Sequence, residues 1–203
     1  DGRICDCCQT GAAVTSEGVV VVYRGRSDDE IRDILSARLV GGRWETPAPV
    51  HDDGWRIPAC PVNGPQVSAR EREVVTAWFT GAQETARVRV AFSRDAGASW
   101  DPPVQVDEGA PMGRVDVELL DDGSALVVWL EAGSGDAALM ARRVHPDGRM
   151  DAAVPLALTS ELRASGFPRM ARHENRVLLS WTEPGAGRGD PSTLRAAWLE
   201  VGG

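Results

Sequence analysis

The chain's 203 residues, 42% hydrophobic and 26% charged, have the balance of an ordinary folded protein with room for a sizeable core, which excludes wholesale disorder. The formal charge is −8 and all 22 basic residues are arginine; so acidic a surface repels phosphate backbones and argues against a nucleic-acid partner. No apolar run approaches the ~20 residues of a membrane-spanning helix, so no span is expected in this chain.

From the N-terminal side, the first feature is Cys5-Asp6-Cys7-Cys8, which with Cys60 makes four cysteines. An even, crowded set suits either an oxidising compartment or a metal site. A leading strand is predicted near Gly11, followed by residues 19–23, apolar on successive positions. Residues 28–40 carry Ile31, Ile34, Leu35 and Leu39 at helical spacing behind a possible Asp cap. Register with later segments makes 34–39 a strand instead, with room for a short helical turn at 29–33. The turn Gly41-Gly42-Arg43-Trp44 follows. The loop signal Asn63-Gly64 opens a second set: a leading strand, then runs at 74–78 and 88–93. A third set starts near Gly113, turns at Asp121-Asp122-Gly123, and continues with runs at 126–129 and 139–144. A fourth starts near Gly166, with runs at 177–181 and 194–199. His51, His145 and His173 fall in turns at unrelated repeat positions and are expected to be exposed.

The aromatics closing the first runs (Tyr23, Trp78, Trp129 and Trp181) recur roughly every 50 residues, and Ala37, Ala91, Ala141 and Ala196 keep the same interval. The turn after each of the first three second runs ends in a large apolar residue (Trp44, Trp100 or Met150) followed by an acidic one (Glu45, Asp101 or Asp151). A four-stranded unit of about 50 residues is a β-propeller blade. Unbroken apolar runs fit the blade's second strand, because neighbouring blades bury both of its faces; a half-exposed strand would alternate. The expected fold class is therefore all-β. One propeller domain covers 1–203, with four-stranded antiparallel blades at about 9–54, 55–109, 110–160 and 161–203. The fourth blade stops after its third strand. Its edge is expected to be closed by residues 1–9 in a four-bladed ring or, in the favoured reading, by blades outside this chain.

Ser93-Arg94-Asp95-Ala96-Gly97-Ala98-Ser99-Trp100 matches the Asp-box, S-x-D-x-G-x-x-W, at every defined position. With the repeat around it, the chain resembles the sialidase superfamily of bacterial BNR-repeat proteins over essentially its whole length. It looks most like exported, exo-α-sialidase-like members with a Cys-rich segment such as 5–10. The resemblance implies six blades in the complete protein, of which this chain would be a C-terminal part. It also implies a structural hairpin between third and fourth strands, away from any active site. There Asp95 accepts N–H bonds across the turn, Gly97 takes a positive φ, Ser93 opens the motif and Trp100 packs on the blade.

In that superfamily sialoside hydrolysis uses three arginines on a carboxylate, a tyrosine nucleophile backed by glutamate, and an aspartate acid/base. Arginine offers the matching planar fork, and an anionic anomeric centre favours a neutral tyrosine. Trp55-Arg56-Ile57-Pro58 looks like the aromatic-R-I-P motif of the first arginine, although here at least one blade precedes it. Arg114, in Gly113-Arg114-Val115-Asp116-Val117-Glu118, is the second candidate. Asp116 on the same strand, and Arg32 and Asp33 on a loop able to reach the centre, complete the candidate catalytic set. The plainer reading is a rim arginine for Arg114 and a local ion pair for Arg32 and Asp33. Tyr23, the only tyrosine, sits at a packing position, so no nucleophile is identified here.

Cys8 and Cys60 each precede the glycine that opens an inner strand, and such positions converge near a propeller axis. A Cys8–Cys60 disulfide is therefore feasible, although four cysteines permit three pairings. The alternative is a thiolate site of Cys5, Cys7, Cys8 and Cys60 for Cu(I) or Zn, against which Cys-x-Cys-Cys lacks the usual two-residue gap. No other cofactor is expected. Two functional readings stand. One is a sialidase-like propeller, exported to the periplasm or cell exterior, that hydrolyses or merely binds a carbohydrate ligand. The other is an exported structural or metal-associated propeller that works through its Cys-rich segment.

Overall fold

The computed structural model describes residues 3–134, 136–185, 187 and 189–201, which form four antiparallel sheets following one another along the chain. Sheet one holds β1 (Gly11–Thr15), β2 (Gly18–Arg24) and β3 (Ile34–Val40). Its outer strand is broken into β4 (Arg43–Trp44) and β5 (Ala48–His51), both paired with β3. Sheet two is β6 (Gln66–Arg70), β7 (Glu73–Thr80), β8 (Arg87–Ser93) and β9 (Val104–Gln105). Sheet three is β10 (Pro111–Leu119), β11 (Ala125–Ala132), β12 (Ala137–Val144) and β13 (Val154–Thr159). Sheet four has β14 (Arg169–His173), β15 (Arg176–Glu183) and β16 (Thr193–Glu200).

Each sheet is a simple up-and-down meander, and its first strand lies innermost, against the first strand of the next sheet. The sequence periodicity is a pairing register. Ala37 faces Val21, Ala91 faces Thr76, Ala141 faces Val128 and Ala196 faces Ser180. The conflict at 28–40 resolves as a strand, β3, preceded by a tight turn. Ser27 builds that turn by accepting the Glu30 N–H on its carbonyl and the Ile31 N–H on its hydroxyl.

Three apolar seams hold the sheets face to face. Ile34 and Val50 of sheet one meet Trp78 and Ala91 of sheet two. Val75, Ala77 and Val90 of sheet two meet Val115, Val127 and Trp129 of sheet three. Leu126, Val128 and Leu139 of sheet three meet Val177 and Leu179 of sheet four. Alternate residues of β7 and of β11 thus enter different seams, which is why β11 is apolar throughout 125–130 and β7 throughout 74–79 except at the buried Thr76, whose hydroxyl donates to the Gln66 carbonyl. The far faces of the end sheets are open: Val14 and Trp44 are exposed on sheet one, Leu194 and Trp198 on sheet four.

Residues 3–10 do not complete sheet four, contrary to the ring alternative. Ile4 bridges Gly25, and the Cys5 N–H bonds the Arg24 carbonyl, so this segment lies at the end of sheet one. Among the described residues no helix is long and apolar enough to cross a membrane.

Candidate functional site

In an up-and-down sheet the second-to-third loops and the sheet-to-sheet connections emerge at one end, and the hairpins between the other strands at the opposite end. The Asp-box turn, between β8 and β9, belongs to the hairpin end. Ser93 Oγ donates to Asp95 Oδ1 at 2.8 Å, and the N–H and hydroxyl of Ser99 reach the same carboxylate at 2.9 and 2.6 Å. Burial pushes the Asp95 carboxyl up, but these bonds prevail and hold it below the usual carboxylate range. Gly97 has φ +82°, and Trp100 packs on the first seam and donates to Ser36 Oγ.

The candidate catalytic residues come from the loop end and the strands beneath it. Two connections, 26–33 and 52–65, pair there as a short ladder. Ile31 bridges Arg56, the Arg32 N–H bonds the Trp55 carbonyl at 2.8 Å, and the Ile57 N–H bonds the Glu30 carbonyl at 3.0 Å. Arg32 and Arg56 therefore stand on adjoining backbones, Arg32 buried and Arg56 exposed. Asp33 accepts the N–H groups of Gly54 and Trp55 at 2.9 and 3.0 Å, so its carboxylate stabilises this loop pairing; burial nevertheless raises its pKa.

The Arg32 guanidinium donates to Glu30 at 2.7 Å, and Arg26 donates to the same carboxylate at 2.8 Å. Hydrogen bonds from Arg26 and then Arg32 hold the Glu30 carboxyl down at about 2. Arg32 Nε is buried without a partner. Arg26 and Arg32 line a cavity of about 290 Å³ whose other walls include Pro58, Cys7 and Cys60. Beneath it lies Arg24, only 1% exposed, which bonds the carbonyls of Asn63, Arg32 and Phe79 and lies over the Trp55 ring at 4.9 Å. Its burial pulls the guanidinium down to about 9.

Arg114 sits elsewhere. It has φ +54°, its N–H bonds Asn63 Oδ1 at 2.8 Å, and its guanidinium reaches the carbonyls of Glu161 and Leu162 and the Ser165 hydroxyl. It fastens the connection between sheets three and four and shares no partner with Arg32 or Arg56 among the described residues. Asp116 is buried on β10, accepts the Met170 N–H across the same seam at 2.7 Å, and is pushed up to about 6 by burial. Glu118, two residues on, accepts the Ser68 hydroxyl from sheet two at 3.0 Å and rises to about 7, burial again dominating. Sequence reasoning did not single out Glu118, Arg24, Arg26 or Glu30. The i, i+2 spacing of Asp116 and Glu118, between Val115, Val117 and Leu119, was the available signal for Glu118.

All four cysteines are paired, as Cys5–Cys8 and Cys7–Cys60. The expected Cys8–Cys60 pairing is corrected. The Cys8 N–H bonds the Cys5 carbonyl at 3.4 Å, curling the tetrapeptide so that Cys8 returns to Cys5 and Cys7 is left for the 52–65 connection. Tyr23 is buried at the edge of the open face of sheet one, where burial raises its pKa; its packing role stands.

No family model matches the sequence, and no curated relative does either. Solved structures resemble it in fold. The Hadza microbial sialidase superposes with a TM-score of 0.60 at 17% identity, over 95% of this chain and 46% of its own. The catalytic domain of the Coprinopsis cinerea GH62 α-L-arabinofuranosidase gives 0.58 at 15%, over 99% of this chain and 69% of its own. The fucose-specific lectin of Aleuria aurantia gives 0.54 at 9%, over 95% of this chain and 57% of its own. The chain spans about half the length of that sialidase. The likenesses show the fold, a run of β-propeller blades.

Proposed function

We propose that the chain is part of an exported, sialidase-like propeller that binds carbohydrate, and that its loop end takes the carboxylate of an acidic sugar. The observation that carries this reading is Arg32. Its guanidinium is buried, one nitrogen has no partner, and it lines a cavity beside a second arginine. Glu30 is the one carboxylate held close between Arg26 and Arg32; Asp6 approaches Arg26 only at 4.0 Å and is solvent-exposed. Arg3, Arg26 and Arg32 all pair with Glu30, so guanidinium donors outnumber that carboxylate even with Asp6 at the cavity wall, and arginine's fork suits a sugar carboxylate. Arg56, exposed on the adjoining backbone, pairs with Ile31 and does not line this cavity, so the reading rests on Arg26 and Arg32. Two disulfides support an oxidising setting, in the periplasm or outside the cell.

The test is calorimetric titration with N-acetylneuraminate, glucuronate and fucose. Acidic sugars are expected to bind, and Arg32→Gln to weaken them at least about tenfold, the scale of one lost charge-assisted bond. Equal binding of fucose, or unchanged binding in the variant, removes the reading. Turnover is a separate proposal for the full-length protein. Fluorogenic sialoside release no greater than that of an Arg26→Ala, Arg32→Ala double variant would leave binding alone.

A further inference from the structure

Three sulfur atoms of the N-terminal segment meet at one point of the loop end, and a fourth, from a distant connection, is bonded to one of them. Cys5, Cys7 and Cys8 place their Sγ atoms within 4.8 Å of one another, and Cys60 is bonded to Cys7. The non-bonded contact between the two disulfides, Cys5 Sγ to Cys7 Sγ, is 3.7 Å. A tetrahedral zinc thiolate with Zn–S near 2.3 Å has sulfur–sulfur edges of about 3.8 Å. The gap between the two disulfides already has that length.

Backbone contacts made without the sulfurs help to assemble the cluster. The Cys5 N–H is held by the Arg24 carbonyl at the end of β2 and the Cys8 N–H by the Cys5 carbonyl, while the ladder between 30–32 and 55–57 fixes the connection that carries Cys60. The adjoining cavity brings two guanidiniums to the cluster, beside the carboxylate of Asp6. Arg26 and Arg32 line the cavity that Cys7 and Cys60 wall, and Arg32 Nε–H is an unused buried donor. Nearby guanidiniums favour thiolate over thiol and offset the two negative charges of a zinc tetrathiolate.

We propose that the reduced chain binds one Zn²⁺ through Cys5, Cys7, Cys8 and Cys60, so that the disulfide pair and the metal site are alternative states of one cluster. Reduction by a dithiol delivers two electrons and two protons to each disulfide, and the dithiol leaves as its own disulfide. The four thiols then bind Zn²⁺ with release of four protons. Four soft ligands and tetrahedral geometry favour zinc over the lower coordination of Cu(I).

The full chain, reduced with a phosphine that competes little for zinc, is titrated with Zn²⁺ and in parallel with Co²⁺. Circular dichroism follows the sheets throughout. The expected result is one metal per chain, the intense visible bands of tetrahedral cobalt thiolate, and loss of all four reactive thiols on zinc addition. Cys60→Ser and Cys5→Ser should each abolish the cobalt bands, and Arg32→Gln should weaken binding about tenfold at unchanged stoichiometry. A folded, reduced chain that takes up no stoichiometric metal overturns the proposal, as does binding that survives Cys60→Ser unchanged. If reduction unfolds the chain, recovery of the sheets on zinc addition supports it and failure to recover overturns it.

Discussion

Asp95 and Glu118 show how differently two carboxylates are used in one chain. Asp95 ties a turn through bonds from Ser93 and Ser99 at the end remote from the arginine cavity. Asp95→Ala should lower stability by about 1–2 kcal/mol in urea unfolding while leaving sugar titrations unchanged. Glu118 is raised from 4.5 to about 7 and Asp116 from 3.8 to about 6, so the folded chain holds both protons more tightly than the unfolded chain. Their contribution is then fully present below about pH 4 and is lost as pH climbs through about 6 and 7. Glu118→Gln should flatten this decline relative to the parent by on the order of 1 kcal/mol between pH 5 and 8, read from thermal melts at matched ionic strength. Parallel curves for parent and variant would remove the assignment. The Glu30 carboxylate, held down by its arginines, contributes with the opposite sign at lower pH, so only the difference between the two chains is diagnostic.

At the scale of elements, β7 and β11 carry the packing. Trp129, 1% exposed on β11, fills the second seam and donates its indole N–H to Glu131 at 2.6 Å. Trp129→Ala should cost roughly 3–5 kcal/mol, checked by denaturant midpoint. These strands were legible in the sequence because burial on both faces leaves a nearly continuous apolar run, interrupted in β7 only by Thr76, and a regular interval repeats it. The pairing of Ala37, Ala91, Ala141 and Ala196 one strand over was legible for the same reason. The ladder between 30–32 and 55–57 was not, because neither segment has strand periodicity and their meeting depends on how two loops cross. Asn63 was read as a turn signal, yet its side chain links Met112 and Arg114 of sheet three while its carbonyl accepts from Arg24. The cysteine partners escaped likewise: a one-residue choice between Cys7 and Cys8 is decided by the curl of the tetrapeptide. Of the proposed arginines, the sequence located Arg32 and Arg56 but not that they adjoin.

Over the whole molecule, the Cys7–Cys60 bond crosses from the N-terminal segment to the connection between sheets one and two, with a sequence separation of 53. Closing a loop of that size restricts the unfolded chain by roughly 4 kcal/mol on the chain-entropy model. Cys7→Ala with Cys60→Ala should therefore lower the melting temperature by several degrees under oxidising conditions, and calorimetry of the two oxidised chains checks it. The same double substitution under reducing, metal-free conditions should be nearly silent.

Sheets two and three each serve two seams, whereas sheets one and four serve one apiece. Stability is thus shared between neighbours like the courses of a dry-stone wall: an interior course cannot be withdrawn without baring two beds, but an outer one loosens alone. Amide protons of β7 and β11 should accordingly be the last to exchange with deuterium, those of β16 among the first, and opening should proceed from the flanks inward.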